Sequence, residues 1–351
     1  MSDQDLIVID GREGEGGGQV LRTSVALAVA LGRPVRIEHI RANRKSPGLK
    51  RQHLTAVRAA LEVAGGDDAV GHSGVALGSA AVELWPAAGG RVHAGSYRFA
   101  VGSAGSTTLV LQTVLAPLLL ADGPSDLLLE GGTHNPLAPS FDFVARSFAP
   151  QVARMGGRLE LTLERHGFAP AGGGRMRVRI EPAAAPVAFE LLQRGEARRP
   201  RVEIALAGVP GGVAAREWAA LQRKTHWPDT CCNVREVTDS AGPGNVVSVE
   251  LESDHVTAVF TAFGAKGVRS ERIGGLVARD VQRYLASDAP VCEHLADQLM
   301  LPMALLAGGR YRTTRLTSHA RTNAQVIERF LPGAVTVGDD GIVTVRGRRM
   351  P

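Results

Sequence analysis

The stretch Gly11–Ala28, GREGEGGGQVLRTSVALA, places five glycines and two carboxylates ahead of an apolar run. A glycine-rich loop that opens a helix suits phosphate, because free backbone N–H groups and the positive end of the helix dipole converge there. Neither familiar phosphate fingerprint fits. In G-x-G-x-x-G register the last position falls on Gln19, and the Gly-Lys-Ser/Thr ending of the P-loop is missing. On these residues alone, a tight turn and a phosphate-binding loop both remain open.

The order of elements around this loop recurs twice along the chain. Each copy has an apolar helix, a strand, a polar turn, a second helix that glycines end, and two further strands. The first helices begin near residues 19, 106 and 293, so the second interval is longer than the first by 100 residues. Such recurrence indicates an internal repeat. The pattern predicts an α/β (α+β) protein built from three repeated β-α-β-α-β-β units.

The 100 additional residues predict a second domain inserted into this repeat. The segment Pro182–Pro186, PAAAP, is typical of an entry linker, and a helix that ends before Ser287 closes the insertion. We therefore expect a large domain of residues 1–184 and 286–351, which carries the three repeats. A smaller inserted α/β domain is expected over residues 185–285.

Composition narrows the class of partner. The 351 residues are 44% hydrophobic and 21% charged, as in an ordinary globular protein. A net charge of +5 favours an anionic partner, a nucleotide or nucleic acid, whereas an aromatic content of 4% disfavours a base-stacking platform. Three cysteines are too few for a disulfide framework or a zinc site. The sequence shows no signal-peptide layout or membrane helix, so we expect a cytoplasmic protein without a membrane partner.

Polar residues concentrate in the loops ahead of the helices, where binding groups commonly lie on a repeated scaffold. One basic turn, between the second strand and the second helix, carries Arg41, Arg44, Lys45 and Arg51. Guanidinium groups bind phosphate oxygens, and a nearby carboxylate can hold Mg²⁺ or Mn²⁺. The set therefore suits a phosphate-containing substrate with a metal. A solvated basic loop explains the same residues equally well.

His319 stands in the polar turn of the third copy, within SHARTNAQVIERF. We expect this turn to precede a helix that Thr322 or Asn323 caps, which would let the ring project toward the other loops. A neutral imidazole is a competent nucleophile near pH 7, and at phosphorus it gives a labile phosphoramidate. A purely structural capping turn is the alternative for this residue taken singly.

Six segments in order resemble one family nearly from end to end. They are DGREGEGGGQVLR, RANRKSPGLKRQH, GSAGSTTLVLQTVL, HGFAPAGGG, EHLADQLMLPMAL and SHARTNAQVIERFLP, and they are similar to RNA 3′-terminal phosphate cyclases. The resemblance implies a large domain of three repeats like the C-terminal domain of translation initiation factor three, with a smaller inserted domain. The repeat intervals lead to the same layout independently.

The resemblance implies a ligase-type nucleotidyl transferase that uses ATP to convert an RNA 3′-phosphate into a 2′,3′-cyclic phosphodiester. In this family a histidine attacks the α-phosphorus of ATP and becomes histidyl-AMP. AMP then passes to the RNA 3′-phosphate, and the neighbouring 2′-hydroxyl expels it. The implied partners are ATP and RNA with a 3′-terminal phosphate, and no obligate protein partner is evident.

Motif matching carries the family's site residues onto this chain as expectations. The nucleophile is His319, and Glu15 corresponds to the carboxylate that binds Mg²⁺ or Mn²⁺. The residues that match the ATP pocket are Gln112, His294, Leu295, Ala296, Asp297 and Gln298. The residues that match the phosphate- and RNA-contacting set are Arg22, Arg41, Arg44, Arg51 and His53. His294 departs from the tyrosine that is common in the family, which reduces the area for stacking on adenine.

Three alternatives compete with this interpretation. A non-catalytic branch of the family serves in ribosome assembly and lacks the nucleophilic histidine, whereas this chain keeps His319, Arg22 and Arg44. Enolpyruvyl transferases share a related repeat, but their motifs are absent, and fold alone does not fix chemistry. A general RNA-binding module is disfavoured by the low aromatic content and by the six ordered loop motifs.

Overall fold

Each repeat forms a four-stranded sheet, and all three sheets have the same strand order. The structure is a computed structural model that describes residues 6–14 and 17–348. In every repeat the first strand runs parallel to the second, and the fourth strand lies antiparallel between the second and third. The three-repeat α+β fold predicted from the sequence is thereby confirmed.

The first repeat contains the glycine loop and the basic turn. Its sheet has the order β1-β2-β4-β3. Its elements are β1 (Ile7–Asp10), α1 (Gly18–Leu31), β2 (Val35–Glu38), α2 (Arg51–Val63), β3 (Val70–Ser73) and β4 (Val82–Pro86). The glycine loop therefore joins β1 to α1, and the basic turn joins β2 to α2.

The second repeat has the sheet order β5-β6-β8-β7. Its elements are β5 (Ser96–Ala100), α3 (Thr107–Leu118), β6 (Ser125–Gly131), α4 (Phe141–Phe143), α5 (Ala149–Arg154), β7 (Arg158–Arg165) and β8 (Gly174–Glu181). The second helix predicted for this repeat is present over Phe141–Arg154, and a π-helical turn at Val144–Phe148 joins α4 to α5. Apolar periodicity does not distinguish this wider turn from an α-helical one.

A fourth sheet follows the second repeat. The chain runs through β9 (Phe189–Leu191), β10 (Arg201–Ala207), α6 (Gly212–Thr225), β11 (Cys232–Glu236), β12 (Gly244–Glu252), β13 (Thr257–Phe263) and α7 (Ser270–Leu285). Strands β10 to β13 form a sheet of their own with the order β11-β10-β12-β13, and α7 buries Ile273, Val277 and Val281 along one face. Strand β9 is not part of that sheet.

The third repeat is completed by this earlier strand. Its later elements are α8 (Glu293–Leu305), β14 (Gly308–Arg312), α9 (Ser318–Phe330), β15 (Val335–Val337) and β16 (Ile342–Arg346). Strand β9 pairs in parallel with β14, giving the order β15-β16-β14-β9. Thus β9 lies within residues 185–285 in sequence and within the third sheet in space. The division of the chain into two domains stays a prediction.

The first helix of each repeat is buried, which explains why all three are apolar on nearly every side. Helix α1 packs on α3 and α9, and α3 packs on α8. Residues Val25–Val29 of α1 have no exposed surface, and Leu299 and Met300 of α8 are equally buried. This packing brings together the polar N-terminal turns of α1 and α8. No helix in the described part of the chain is both long enough and apolar enough to span a bilayer.

Candidate active site

The side-chain amide of Gln19, at the start of α1, joins two other helices. Its Nε2 donates a hydrogen bond to Oδ1 of Asp297 on α8, and its Oε1 is hydrogen bonded to Nδ1 of His319 on α9. Since the carboxylate needs the NH₂ end of the amide, the carbonyl end faces the imidazole. A carbonyl only accepts, so the hydrogen of His319 is on Nδ1. In the neutral ring, Nε2 is then the unprotonated nitrogen.

His319 lies in the first turn of α9. Thr317 is the N-cap residue, because its Oγ1 accepts a hydrogen bond of 3.1 Å from the backbone N–H of Ala320. The prediction that Thr322 or Asn323 caps this helix was wrong. The sequence offers capping side chains at 317, 318, 322 and 323, and the earliest of them takes the role. The imidazole is exposed and points from a fixed helical backbone.

Two buried side chains fix α9 against α1 and α8. Thr23 Oγ1 donates to Asn323 Oδ1 over 2.8 Å, and Asn323 Nδ2 donates to the backbone carbonyl of Asp297 over 2.9 Å. Thr23 is 5% exposed and Asn323 is 3% exposed, so breaking either bond would leave a polar group unpaired inside the protein. These bonds set the distance between Gln19 and His319.

Asp297 is a carboxylate held by neutral amides. Besides the bond from Gln19, its Oδ2 accepts from Gln298 Nε2 over 3.2 Å. Burial raises the pKa of Asp297, whereas the hydrogen bond from Gln19 and the nearby His319 and Arg22 act in the opposite direction. The carboxyl is thus placed to balance positive charge beside the histidine.

A small cavity opens next to these groups. It is lined by polar side chains that include Gln112 and Gln298, and by apolar ones that include Leu115 and Phe148. Gln112 Nε2 donates to Gln298 Oε1 across it. The structure therefore brings together Gln112, Asp297 and Gln298 of the predicted ATP pocket.

The other predicted ATP-pocket residues of α8 lie elsewhere. Leu295 and Ala296 have no exposed surface and face the core, where the Ala296 carbonyl accepts a hydrogen bond of 2.6 Å from Tyr311 Oη. His294 is exposed and is not among the cavity-lining residues in the described chain. Helical geometry explains this split, because consecutive residues of a helix point in different directions. Motif matching selects consecutive residues, whereas only some consecutive residues of a helix can face one ligand.

Positively charged groups gather around the N-terminus of α1. Gly17 is the N-cap residue and supplies no capping side chain. A β-carbon added to Gly18 would lie 2.9 Å from Arg22 Nη1 and in contact with the His53 ring, and one added to Gly17 would lie 3.1 Å from Arg44 Nη2. Only glycine leaves this space open, so an anion can approach the helix N-terminus and these side chains together.

His53 is neutral in this setting. Burial lowers the pKa of His53 to about 3, with further lowering from Arg22, Arg41 and Lys50. Its Nδ1 accepts from the Lys50 backbone N–H at 3.4 Å, so the ring hydrogen is on Nε2, which faces Gly18. Burial also lowers the pKa of Arg22, to about 10, which leaves this guanidinium charged at neutral pH. A charged donor, Arg22, and a neutral donor, His53, therefore both face the space beside Gly18.

Two predicted phosphate-contacting arginines bind backbone carbonyls at the edge of this cluster. Arg41 Nη1 donates to Ser46 O over 2.6 Å and to Gly48 O over 3.1 Å, and Arg51 Nη1 donates to Gly102 O over 2.9 Å. The structure therefore places Arg22, Arg44 and His53 at the helix N-terminus, and Arg41 and Arg51 beside it.

The predicted metal ligand, Glu15, lies outside the described residues. Over residues 6–14 and 17–348, no three His, Cys, Asp or Glu side chains group closely enough to hold a metal ion. A carboxylate from the glycine loop would be needed for the Mg²⁺ or Mn²⁺ site, which stays a prediction.

Sequence reasoning assigned no role in the site to Gln19, Thr23 or Asn323, although Asn323 is among the polar residues near the predicted turn of the third repeat. A signal for two of them was present, because Gln19 and Thr23 are polar residues four apart at the start of a helix whose second half is entirely apolar. Such a polar stripe on a buried helix needs polar partners from another element. The sequence does not reveal which element supplies them.

The fold and the site define an α+β protein of three repeats, in which a helix N-terminus open to an anion lies near an amide-held histidine. A profile of the family described as RNA 3′-terminal phosphate cyclase matches residues 13–337. The chain belongs to this family.

Curated relatives carry the same description. An RNA 3′-terminal phosphate cyclase of Koribacter versatilis (strain Ellin345) is 46% identical over 336 residues, which cover 96% of this chain and 93% of the relative. Those of Salmonella agona (strain SL483) and Ralstonia nicotianae (strain ATCC BAA-1114 / GMI1000) are each 48% identical. The alignments cover 93% and 94% of this chain, and 92% and 93% of the respective relatives.

Proposed function

We propose that the protein uses ATP to convert an RNA 3′-terminal phosphate into a 2′,3′-cyclic phosphodiester, with His319 as the nucleophile. Family membership supports the overall reaction. The observation that carries the nucleophile assignment is the hydrogen bond between Gln19 Oε1 and His319 Nδ1, which places the ring hydrogen on Nδ1 and makes Nε2 the attacking nitrogen. An exposed imidazole held in one orientation meets the geometric requirements for attack at phosphorus.

Three displacements at phosphorus make up the proposed reaction. His319 Nε2 attacks the α-phosphorus of ATP, so a P–N bond forms and pyrophosphate leaves with the electron pair of the broken P–O bond. An oxygen of the RNA 3′-phosphate then attacks the same phosphorus, and the P–N bond breaks. Finally the 2′-hydroxyl attacks the 3′-phosphorus, loses its proton to solvent and expels AMP. Gln19 accepts from Nδ1–H throughout and stabilises the positive charge on the ring while AMP is attached.

The cation cluster supplies the electrostatic part of this scheme. Phosphoryl and nucleotidyl transfers depend on positioned positive charge more than on acid–base groups. Arg22 and Arg44, the neutral donor of His53 and the N–H groups at Gly17–Gly18 converge on one space, which we assign to phosphate. ATP and the RNA end would use this space in successive steps. We also propose a divalent cation, Mg²⁺ or Mn²⁺, held by Glu15, which would supply further positive charge.

The adenine base is assigned to the cavity beside Gln112 and Gln298. Two side-chain amides offer both donors and acceptors to a purine edge, and Leu115 and Phe148 offer apolar contact. At about 40 Å³ the cavity is smaller than the roughly 300 Å³ of the smallest common ligand pockets. The hydrogen bond between the two amides must therefore open when a base enters.

Transfer of label from α-³²P-ATP tests the nucleophile. The protein should acquire an adenylate that is labile in acid and stable in alkali. His319→Ala and His319→Asn should both abolish the label, while His72→Ala, which alters a histidine of β3 outside the site, should retain it. Label that persists in both His319 variants would contradict the assignment. Conversion of 3′-phosphorylated RNA to the cyclic product should fail in the same two variants.

A further inference from the structure

A groove runs alongside the cation cluster, between α2 of the first repeat and β5 of the second. Its volume is about 280 Å³, and its lining includes Arg51, Arg58 and Arg98. Arg51 begins α2 two residues before His53 and is bonded to Gly102 of the loop that follows β5. One end of the groove therefore lies within a single helical turn of His53.

The charges in this groove favour an extended anion. Three arginines line it against a single carboxylate, Glu62. Arg51 and Arg58 are seven residues apart on one helix, so they share a face and are separated along the axis by about 10 Å. Such spacing suits several negative charges in a row, as on a nucleic-acid backbone, better than one small ion.

Two of these arginines are available to a partner. Arg58 is exposed and makes no hydrogen bond or ion pair with any residue in the described chain. Arg98 is 67% exposed and donates to Glu130 over 2.9 Å, a carboxylate that Arg175 also holds. A surface pair of this kind contributes about 0–1 kcal/mol, so Arg98 can exchange its partner at little cost.

The groove also contains apolar surface. Leu77 is 57% exposed, and Leu54 of α2 is half-buried beside it. Base faces can lie against such side chains while the backbone phosphates contact the arginines.

We propose that this groove binds the RNA nucleotides that precede the 3′-terminal phosphate, with Arg58 and Arg98 contacting backbone phosphates. The proposal rests on the proposed function, since it takes the phosphate end of the RNA to lie at Arg22, Arg44 and His53. It predicts binding that depends on strand length and salt and has little dependence on sequence.

Fluorescence anisotropy tests the proposal through binding rather than turnover. The probes are a single-stranded 12-nucleotide RNA with a 3′-phosphate and a dinucleotide with the same end. In Arg58→Ala/Arg98→Ala, the 12-mer should bind about tenfold more weakly, and the dinucleotide should be unaffected. The slope of log K against log salt should fall by about 0.7 for each arginine, as for other single strands.

The matched control is Arg158→Ala. Arg158 is an exposed arginine on β7, at the opposite edge of the sheet that β5 begins, and it pairs with Glu160 as Arg98 pairs with Glu130. This variant should bind both probes as the unaltered protein does. An unchanged affinity and salt slope for the 12-mer in the double variant would overturn the proposal. So would an equal loss for the dinucleotide.

Adenylation by α-³²P-ATP separates this proposal from the function on which it rests. That step needs no RNA, so the double variant should label at the normal rate. Failure of the unaltered protein to label would contradict the proposed function, while length-dependent binding through Arg58 and Arg98 would still support the groove. If the unaltered protein labels normally and the double variant binds the 12-mer with unchanged affinity, the RNA-binding role of the groove is contradicted and the proposed function is not.

Discussion

Gln19 and His319 are 300 residues apart in sequence, and the Oε1 atom of Gln19 is hydrogen bonded to Nδ1 of His319. The other end of the amide is tied to Asp297, so the amide cannot rotate without losing that bond. The relationship fixes both the ring orientation and the nitrogen that carries the hydrogen. Gln19 therefore positions His319, the proposed nucleophile.

The first prediction concerns this positioning. Gln19→Ala should slow single-turnover adenylation about 100-fold, because misplacing a reacting group by about 1 Å can cost that factor. The KM for ATP should change much less, since the phosphate-binding groups remain. Rapid-quench measurement of the histidyl adduct checks this, with Gln222→Ala of α6 as a control. Equal adenylation rates in the Gln19 variant and the unaltered protein would contradict the positioning role.

The second prediction concerns the neutral His53. Its pKa is about 3 in the folded protein and near 6.5 in an unfolded chain, so the unfolded state binds more protons between these values. The free energy of unfolding should therefore fall as the pH is lowered from about 6.5 toward about 3. Each pH unit well inside this window contributes up to about 1.4 kcal/mol for one proton.

Urea unfolding at pH 7 and pH 5 measures this contribution. His53→Gln removes the titrating ring, while glutamine at the third position of α2 can still bond back to the N-cap N–H. The variant should lose less stability between pH 7 and pH 5 than the unaltered protein. His72→Gln, at a histidine paired with Asp67 on the surface, serves as the control. An identical pH dependence in His53→Gln and the unaltered protein would show that His53 titrates normally.

Much of the fold could be predicted because repeats and apolar periodicity are local signals. The helices of all three repeats and the additional residues between the second and third were recognisable from spacing. The place of strand β9 was harder to predict, because a strand of three residues is too short to show a clear alternation of apolar and polar residues. Its partner β14 also lies about 120 residues later. Parallel pairing across an inserted sheet leaves no trace in the residues between.

The site was predictable in its residue types and less so in its contacts. Motif matching selected His319, Arg22 and Gln112, and the structure brings their helices together. It could not show that Gln19 joins His319 to Asp297, because that contact depends on how three buried helices pack. It also treated residues 294–298 as a unit, whereas the helix turns Leu295 and Ala296 into the core.

The third prediction concerns the junction of the glycine loop with α9. Gly14 has φ of 59°, and a β-carbon there would lie 2.9 Å from Thr322 Cβ and closer still to its Oγ1. Gly14→Ala should therefore lower the free energy of unfolding by at least about 1–2 kcal/mol, the cost of the left-handed backbone alone.

A double-mutant cycle separates strain from collision. Thr322→Ala removes Oγ1 and Cγ2, so it should restore part of the free energy of unfolding that Gly14→Ala loses. The cost of the left-handed backbone at residue 14 should remain. Gly66→Ala is the control, because Gly66 has φ of 81° but no atom within 4 Å of an added β-carbon. Additive effects of Gly14→Ala and Thr322→Ala would show that the loop does not press on α9.

The fourth prediction concerns adenine recognition by Gln112. Gln112→Met keeps the length of the side chain and removes the amide that bonds to Gln298. Loss of one hydrogen bond to a base costs about 0.5–1.5 kcal/mol, so the KM for ATP should rise roughly threefold to tenfold while the rate of adenylation at saturation changes little. Discrimination against GTP should weaken in proportion, because the proposed placement puts the base against the amides and not against the arginines. Adenylation kinetics with both nucleotides check this, with Gln282→Met of α7 as the control. A KM for ATP that does not move would place the base outside this cavity, toward the exposed His294.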